Sequence, residues 1–352
     1  MITWPDRRGP GTGPDDRSLK GNLVTVNAAA EVHPALALIA QRLAAGGGPG
    51  AHGDGHRLAL AIEGGGMRGT ITAGMALGVH ELGLTPVFDD IYGSSAGAIT
   101  GAWLCSANPP GLRIWYDTTL TRALIKRANL PRPGRPVLDV ETLIEQVYPD
   151  VMDFGSVLAS PVPLHVLATD AATGKSVDLR PYLDSAANLR RALRASCALP
   201  LLAGPPVELH GRRYLDSGLS ESIPYETAMA QGATHVLVLS SRRAEDVVRS
   251  SWSRFSRLVA ATVLRRYPLE LRETFLSRTS RLTADDVLLR EGHPAVFPIR
   301  PAPDSPKIGG MASDGDLLLA AFEAGRTAVF KMFGELADSS QLQSISKPKA
   351  QR

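Results

Sequence analysis

A chain of 352 residues with 44% hydrophobic and 21% charged residues can bury an ample core, and it reads as an ordinary globular protein of one large α/β domain or two smaller ones. A net charge of +3 gives no basis for a dedicated nucleic-acid binder, and two cysteines, Cys105 and Cys197, exclude a disulfide framework or a cysteine-rich metal centre. No apolar run approaches the roughly 18 residues of a membrane span, and the polar start does not read as a signal peptide, so the expected address is cytoplasmic.

In chain order, residues 1–56 are expected to form an N-terminal extension. Residues 1–22 are rich in Gly, Pro, Asp and Arg and read as mobile. Leu36, Leu38, Ile39 and Leu43 then recur at helical spacing, with Pro34 tolerated in the first turn. The glycine-rich stretch 46–55 reads as a flexible linker.

From Arg57 to Ser240 strands and helices alternate. Strands are expected at 58–62, 88–92, 163–169 and 235–240, and helices at 70–82 and 96–107. A hairpin is expected over 207–215, turning at His210-Gly211. This alternation predicts an α/β fold, a mainly parallel sheet covered by helices on both faces.

Residues 241–335 are expected to be helical and mixed and to pack on the same domain, with 336–352 a polar tail. Between 242 and 290 eleven arginines meet six acids, and Trp252, Phe255, Leu258, Val259 and Val263 fall on one helical stripe. The plain reading is a core-packed helix with a solvated face. The sharper one is reversible contact of 242–290 with an anionic membrane surface, which would place the protein peripherally at the inner membrane.

Two glycine-flanked turns follow the first two strands. The second, Gly93-Ser94-Ser95-Ala96-Gly97, is a G-x-S-x-G between a strand and an apolar helix. Such an elbow strains its central residue and lifts the Ser95 hydroxyl clear of the backbone, at a helix N-terminus that favours developing negative charge. The bland alternative is a tight turn whose serine only caps the helix. The first turn comprises Gly64, Gly65, Gly66, Met67, Arg68 and Gly69. Consecutive glycines can present bare N–H groups to an incoming oxygen, as an oxyanion hole requires. The same residues match G-x-G-x-x-G, and Asp89 lies about 20 residues further on, where a dinucleotide site would keep a ribose-binding acid. Against that reading, Asp89 precedes its strand instead of ending it.

A nucleophilic serine needs a base. Among eight histidines, His33, His52 and His56 precede the first strand and His80 sits on the first helix. His165 lies within a strand, His210 in the hairpin turn and His235 at a strand start. Only His293 falls in a loop late enough for a Ser…Asp…His order, and a surface or capping role is its plainer reading. The other candidate is Asp216, which with Ser217 and Gly218 opens a turn at the end of the hairpin. Partial burial would raise the basicity of its carboxylate.

Together the glycine loop, the elbow and the aspartate turn resemble the patatin-like phospholipase family, whose pattern is G-G-G-x-R/K-G, then G-x-S-x-G, then D-G-G/A. The segments 168–170, 194–200 and 222–224 are similar too, and the likeness covers about 57–240. The resemblance implies a patatin-like three-layer α/β/α catalytic domain over 57–240 and a Ser95–Asp216 dyad with no histidine. It implies an oxyanion hole on Gly65, Gly66 and their neighbours, with Arg68 fixing the loop. It further implies hydrolysis of lipid acyl esters through an acyl-enzyme, with no cofactor and no metal. An acyltransferase with a non-water acceptor would carry the same residues, and a nucleotide-binding or regulatory protein with an idle site belongs to another class. Ser217 departs from the family's glycine. If that turn requires positive φ, serine there costs about 1 kcal/mol and displaces Asp216.

Overall fold

The structure is a computed structural model, and it describes residues 32–129, 136–246 and 253–345. The stretch 1–22 lies outside the described residues, as do Trp252, the Phe255 side chain and the end of the polar tail.

Eight strands form one sheet: β1 (Leu58–Ile62), β2 (Asp90–Ser94), β3 (Leu164–Asp170), β4 (Ser176–Asp178), β5 (Val207–Leu209), β6 (Arg212–Leu215), β7 (His235–Leu239) and β8 (Val296–Ile299). Their order is β5-β6-β3-β2-β1-β7-β8, with β4 pairing β3 off that path. Strands β3, β2, β1, β7 and β8 run parallel, while β4, β5 and β6 pair antiparallel. The helices are α1 (Pro34–Ala45), α2 (Gly69–Glu81), α3 (Ala96–Cys105), α4 (Thr118–Leu124), α5 (Val140–Thr142), α6 (Phe154–Leu158), α7 (Ala186–Ser196), α8 (Tyr225–Ala230), α9 (Ser253–Thr262), α10 (Leu269–Glu291) and α11 (Gly315–Ile345).

Every residue of β1 is buried, as a central parallel strand demands. Leu58, Leu60 and Ile62 join a core with Leu77 of α2, Trp103 of α3, Leu193 of α7 and Phe322 of α11. Ala59 and Ala61 face the other way, into a smaller core with Tyr225 of α8 and Leu289 of α10. The molecule is therefore a three-layer α/β/α arrangement around a mainly parallel sheet. Helices α2 and α11 cross closely because Gly74 and Gly325 meet the facing backbones. A β-carbon on Gly74 would lie 1.9 Å from the Phe322 carbonyl oxygen, and one on Gly325 2.0 Å from that of Ile71.

Several details differ from the sequence reading. The second strand is Asp90–Ser94 and not 88–92, because the turn Thr85–Val87 takes up the chain before it, while the ladder to β1 carries through to Gly93 and that to β3 through to Ser94. Two strands were unforeseen. β4 has only three residues, and β8 contains Pro298, a residue confined to sheet edges, where β8 lies. On α9 the buried face is Val259 and Ala260, followed by Leu264, while Leu258 and Val263 are exposed. The expected apolar stripe is thus split between core and solvent.

The glycine-rich stretch 46–55, expected as a flexible linker, is pinned to the body. The buried Arg42 of α1 donates to both carboxylate oxygens of Asp54 (2.7 and 3.1 Å), to Asp89 (2.7 Å) and to the Val87 carbonyl (2.7 Å). Asp89 also accepts from the Gly50 and Leu58 amides. Removing one partner of such a buried cluster strands the remaining charges. Arg42→Met is expected to cost about 3 kcal/mol or more in denaturant unfolding and to expose 46–55 to limited proteolysis. An unchanged midpoint would show that α1 and this stretch add nothing to the fold.

Candidate active site

The parallel strands bring their C-terminal ends to one side of the sheet, and the singled-out motifs converge there. β2 ends at Ser94, and Ser95 follows with φ 53° and ψ −120°, a conformation that few non-glycine residues adopt. Helix α3 starts at once with Ala96. The flanking glycines are dictated by contact: a β-carbon on Gly93 would lie 2.4 Å from Ala98 Cα, and one on Gly97 2.1 Å from the Ile62 carbonyl oxygen.

Ser95 Oγ donates to Asp216 Oδ2 at 2.8 Å, joining residues 121 positions apart. Asp216 follows β6, and its second carboxylate oxygen accepts from the Gly218 amide at 2.7 Å. Its amide donates to the Ala198 carbonyl (3.1 Å), and its own carbonyl accepts from Thr169 Oγ1 (2.8 Å). Burial pushes its pKa up to about 6, against the opposing hydrogen bonds from Ser95 and Gly218.

Ser217 does not need positive φ. It opens the 3-10 turn Ser217–Leu219, so the expected strain does not arise. Its buried hydroxyl is instead used. Ser94 Oγ donates to the Glu221 carbonyl (2.7 Å) and therefore accepts from Ser217 Oγ (2.7 Å). Ser196, which the sequence marks only as part of a family segment, contacts the elbow directly: its Oγ accepts from the Ser95 amide at 2.9 Å.

In the glycine loop most amides are committed. Gly64 donates to the Ser222 carbonyl, Met67 to Gly310 and Arg68 to Gly65, while the Gly69 amide bonds back to Gly66 and Met67. Gly65 and Gly66 keep amides with no partner among the described residues. The Arg68 side chain folds over Gly65, and burial lowers its pKa to about 10. Just before the loop, the fully buried Glu63 accepts from Ser240 Oγ (2.7 Å), the Ser241 amide (2.6 Å) and Arg242 Nε (3.1 Å). Glu63 anchors the loop, and its sequence context gave no sign of this.

Ser95 and Asp216 line a largely apolar cavity of about 90 Å³, whose walls also include Met67, Ile99, Trp115, Leu143 and Tyr148. No histidine lines it. His293 precedes β8, at the opposite end of the parallel strands from Ser95. There its Nδ1 accepts from the Ala295 amide and its carbonyl from His33 Nε2. Asp89 lies at that far end too, bound to Arg42 and away from the glycine loop, which removes the support for a ribose-binding role. Among the described residues no group of His, Cys, Asp and Glu is arranged to hold a metal ion.

Residues 60–229 match the family model described as patatin-like phospholipase. The chain carries a patatin-like phospholipase domain. The uncharacterized protein YjjU of Escherichia coli K12 is 31% identical over 211 residues, which are 56% of this chain and 55% of that protein, so the match spans about half of that relative. Two solved structures have a looser likeness. VipD from Legionella pneumophila is 14% identical with a TM-score of 0.40, over 81% of this chain and 67% of VipD. Human GIVD cytosolic phospholipase A2, in complex with methyl gamma-linolenyl fluorophosphonate, is 14% identical with a TM-score of 0.37, over 82% of this chain and 60% of that one.

The buried carboxylate of the patatin-like domain has a consequence for stability. A raised pKa means that the Asp216 contribution is fully present below the unfolded carboxylate range and is lost as pH rises through about 6. Asp216→Asn, neutral at every pH, is expected to be more stable than wild type at pH 8 by about 3 kcal/mol, with the difference gone below about pH 3. Thermal unfolding of both proteins at the two pH values checks this.

Proposed function

We propose that the patatin-like domain is a serine acyl hydrolase acting on lipid acyl esters, with Ser95 as nucleophile and Asp216 as base. The observation that carries this reading is the 2.8 Å contact between Ser95 Oγ and a buried Asp216 carboxylate, both lining an apolar cavity. An ordinary exposed aspartate is too weak a base for a serine hydroxyl. Burial moves this one toward the working pH, where proton transfer is most effective.

In the proposed reaction the acyl chain occupies the cavity and Ser95 Oγ attacks the ester carbonyl carbon while its proton passes to Asp216 Oδ2. The carbonyl oxygen becomes an oxyanion that accepts from the Gly65 and Gly66 amides, each donor contributing a few kcal/mol. Asp216 returns its proton to the departing alkoxide as the ester bond breaks, leaving an acyl-Ser95. Water then attacks the acyl carbon and gives its proton to Asp216. Collapse of this second intermediate releases the fatty acid and reprotonates Ser95. A non-water acceptor at this last step would give acyl transfer by the same residues.

Medium-chain p-nitrophenyl esters and a lysophospholipid provide the test. Ser95→Ala and Asp216→Asn should each lose at least about 10³-fold in kcat/KM, and Ser95→Ala should lose labelling by a fluorophosphonate probe. His293→Ala should match wild type. Wild-type kcat/KM should rise with pH through about 6 and then level off, since only the ionised Asp216 accepts the proton. Unchanged hydrolysis in Ser95→Ala, or equal loss in His293→Ala, would overturn the assignment.

A further inference from the structure

Two groups stand out among the described arginines of this stretch. Arg242 and Arg243 are braces bound to Glu63 and Asp246, Arg281 donates to the Leu219 carbonyl, Arg290 pairs with Asp286, and Arg278 lies over the Phe275 ring. These cations are spent inside the fold. Arg257, Arg265 and Arg266, on α9 and the turn Leu264–Arg266, are exposed and make no hydrogen bond or ion pair with the described residues. Leu258 and Val263 between them and Leu269 just after them are exposed apolar side chains, at 59%, 38% and 56%. An open groove lined by Ala261, Thr262, Val263, Arg265 and Arg266 brings both kinds of group together. The acids that follow closest in the chain are Glu270 and Glu273, both exposed on α10.

This patch backs directly onto the site. The inner face of the same segment, Val259, Ala260, Leu264 and Leu271, packs on Leu215 and Leu219, which bracket Asp216. Leu199 touches that cluster and also lines the cavity. On the same loop Leu201 is 45% exposed and held at φ 70°, a left-handed conformation that costs a leucine free energy.

We propose that the surface from Arg257 to Leu269 seats the domain on an anionic lipid bilayer. This rests on the hydrolase reading, which makes the substrate a lipid. Leu258, Val263 and Leu269 enter the boundary between headgroups and acyl chains, and Arg257, Arg265 and Arg266 engage lipid phosphates. The mixture argues for a bilayer: apolar side chains alone would suit another protein, and free arginines alone any polyanion. Docking there would bring the acyl chains of the bilayer to the wall of the cavity.

The test uses the full chain and vesicles of phosphatidylglycerol or phosphatidylcholine, with binding read by co-sedimentation and chemistry read separately on a soluble p-nitrophenyl ester. Wild type should bind the anionic vesicles, bind the zwitterionic ones weakly, and release as salt shortens the screening length. The triple variant Arg257→Glu/Arg265→Glu/Arg266→Glu should lose affinity for anionic vesicles about 100-fold or more while keeping wild-type hydrolysis of the soluble ester. Leu258→Ser/Leu269→Ser should weaken binding at high salt as well. Absence of wild-type binding, equal binding to both lipids, or unchanged binding by the triple variant would overturn the proposal. So would a concentration-dependent dimer that the triple variant abolishes, since the patch would then face a second copy. Vesicle binding without ester hydrolysis would leave the docking surface standing and sink the hydrolase reading alone.

Discussion

A carboxylate buried against a single hydroxyl sets the terms for the rest of this structure. Asp216 is taken out of water, yet it is given only the Ser95 hydroxyl and the Gly218 amide in exchange. That arrangement keeps its pKa high, and it also makes the fold bear the cost of an imperfectly compensated charge. Its position must therefore be enforced from outside. Thr169 and Ala198 hold its backbone, Ser196 holds the Ser95 amide, and the Ser217–Ser94–Glu221 chain of hydrogen bonds ties the aspartate turn to the elbow. The hydroxyl at position 217 is a supporting part of this chain and not a flaw in the turn.

The sheet supplies the larger frame. Parallel central strands place the ends of β1 and β2 side by side, so the glycine loop and the elbow become neighbours through strand pairing. β6 runs antiparallel beside β3 and delivers Asp216 to the same edge. Helices on both faces keep water from the strands, and the α2–α11 crossing, close enough to exclude any β-carbon at Gly74 and Gly325, fixes one of those layers. Two charge clusters lie at the opposite end. There Arg42, Asp54 and Asp89 form one cluster, and Arg57, Asp90, His165 and Asp178 form another.

The sequence reading located most strands and helices because hydrophobic periodicity and glycine punctuation are local signals. It missed β4 and β8, whose brevity and Pro298 hide them until a neighbouring strand offers a ladder. It read 46–55 as a linker because no local pattern shows that Arg42 will bind Asp54 and Asp89. It treated the arginines of 242–290 as one population, although a cation's partner is set by what folds against it. Arg242 meets Glu63 across 179 residues of chain, whereas Arg265 meets nothing among the described residues.

Residue type and spacing were enough to single out Ser95, the glycine loop and Asp216. An elbow that packs a helix tightly against a strand tolerates few residues, and those constraints are written into five consecutive positions. The resemblance already paired Ser95 with Asp216 and pointed to Gly65 and Gly66; the 2.8 Å contact across 121 residues, the depth at which the carboxylate is buried, and the commitment of the other loop amides came only from tertiary structure. Each depends on distance and solvent exclusion between segments remote in the chain, quantities that no local stretch of sequence contains.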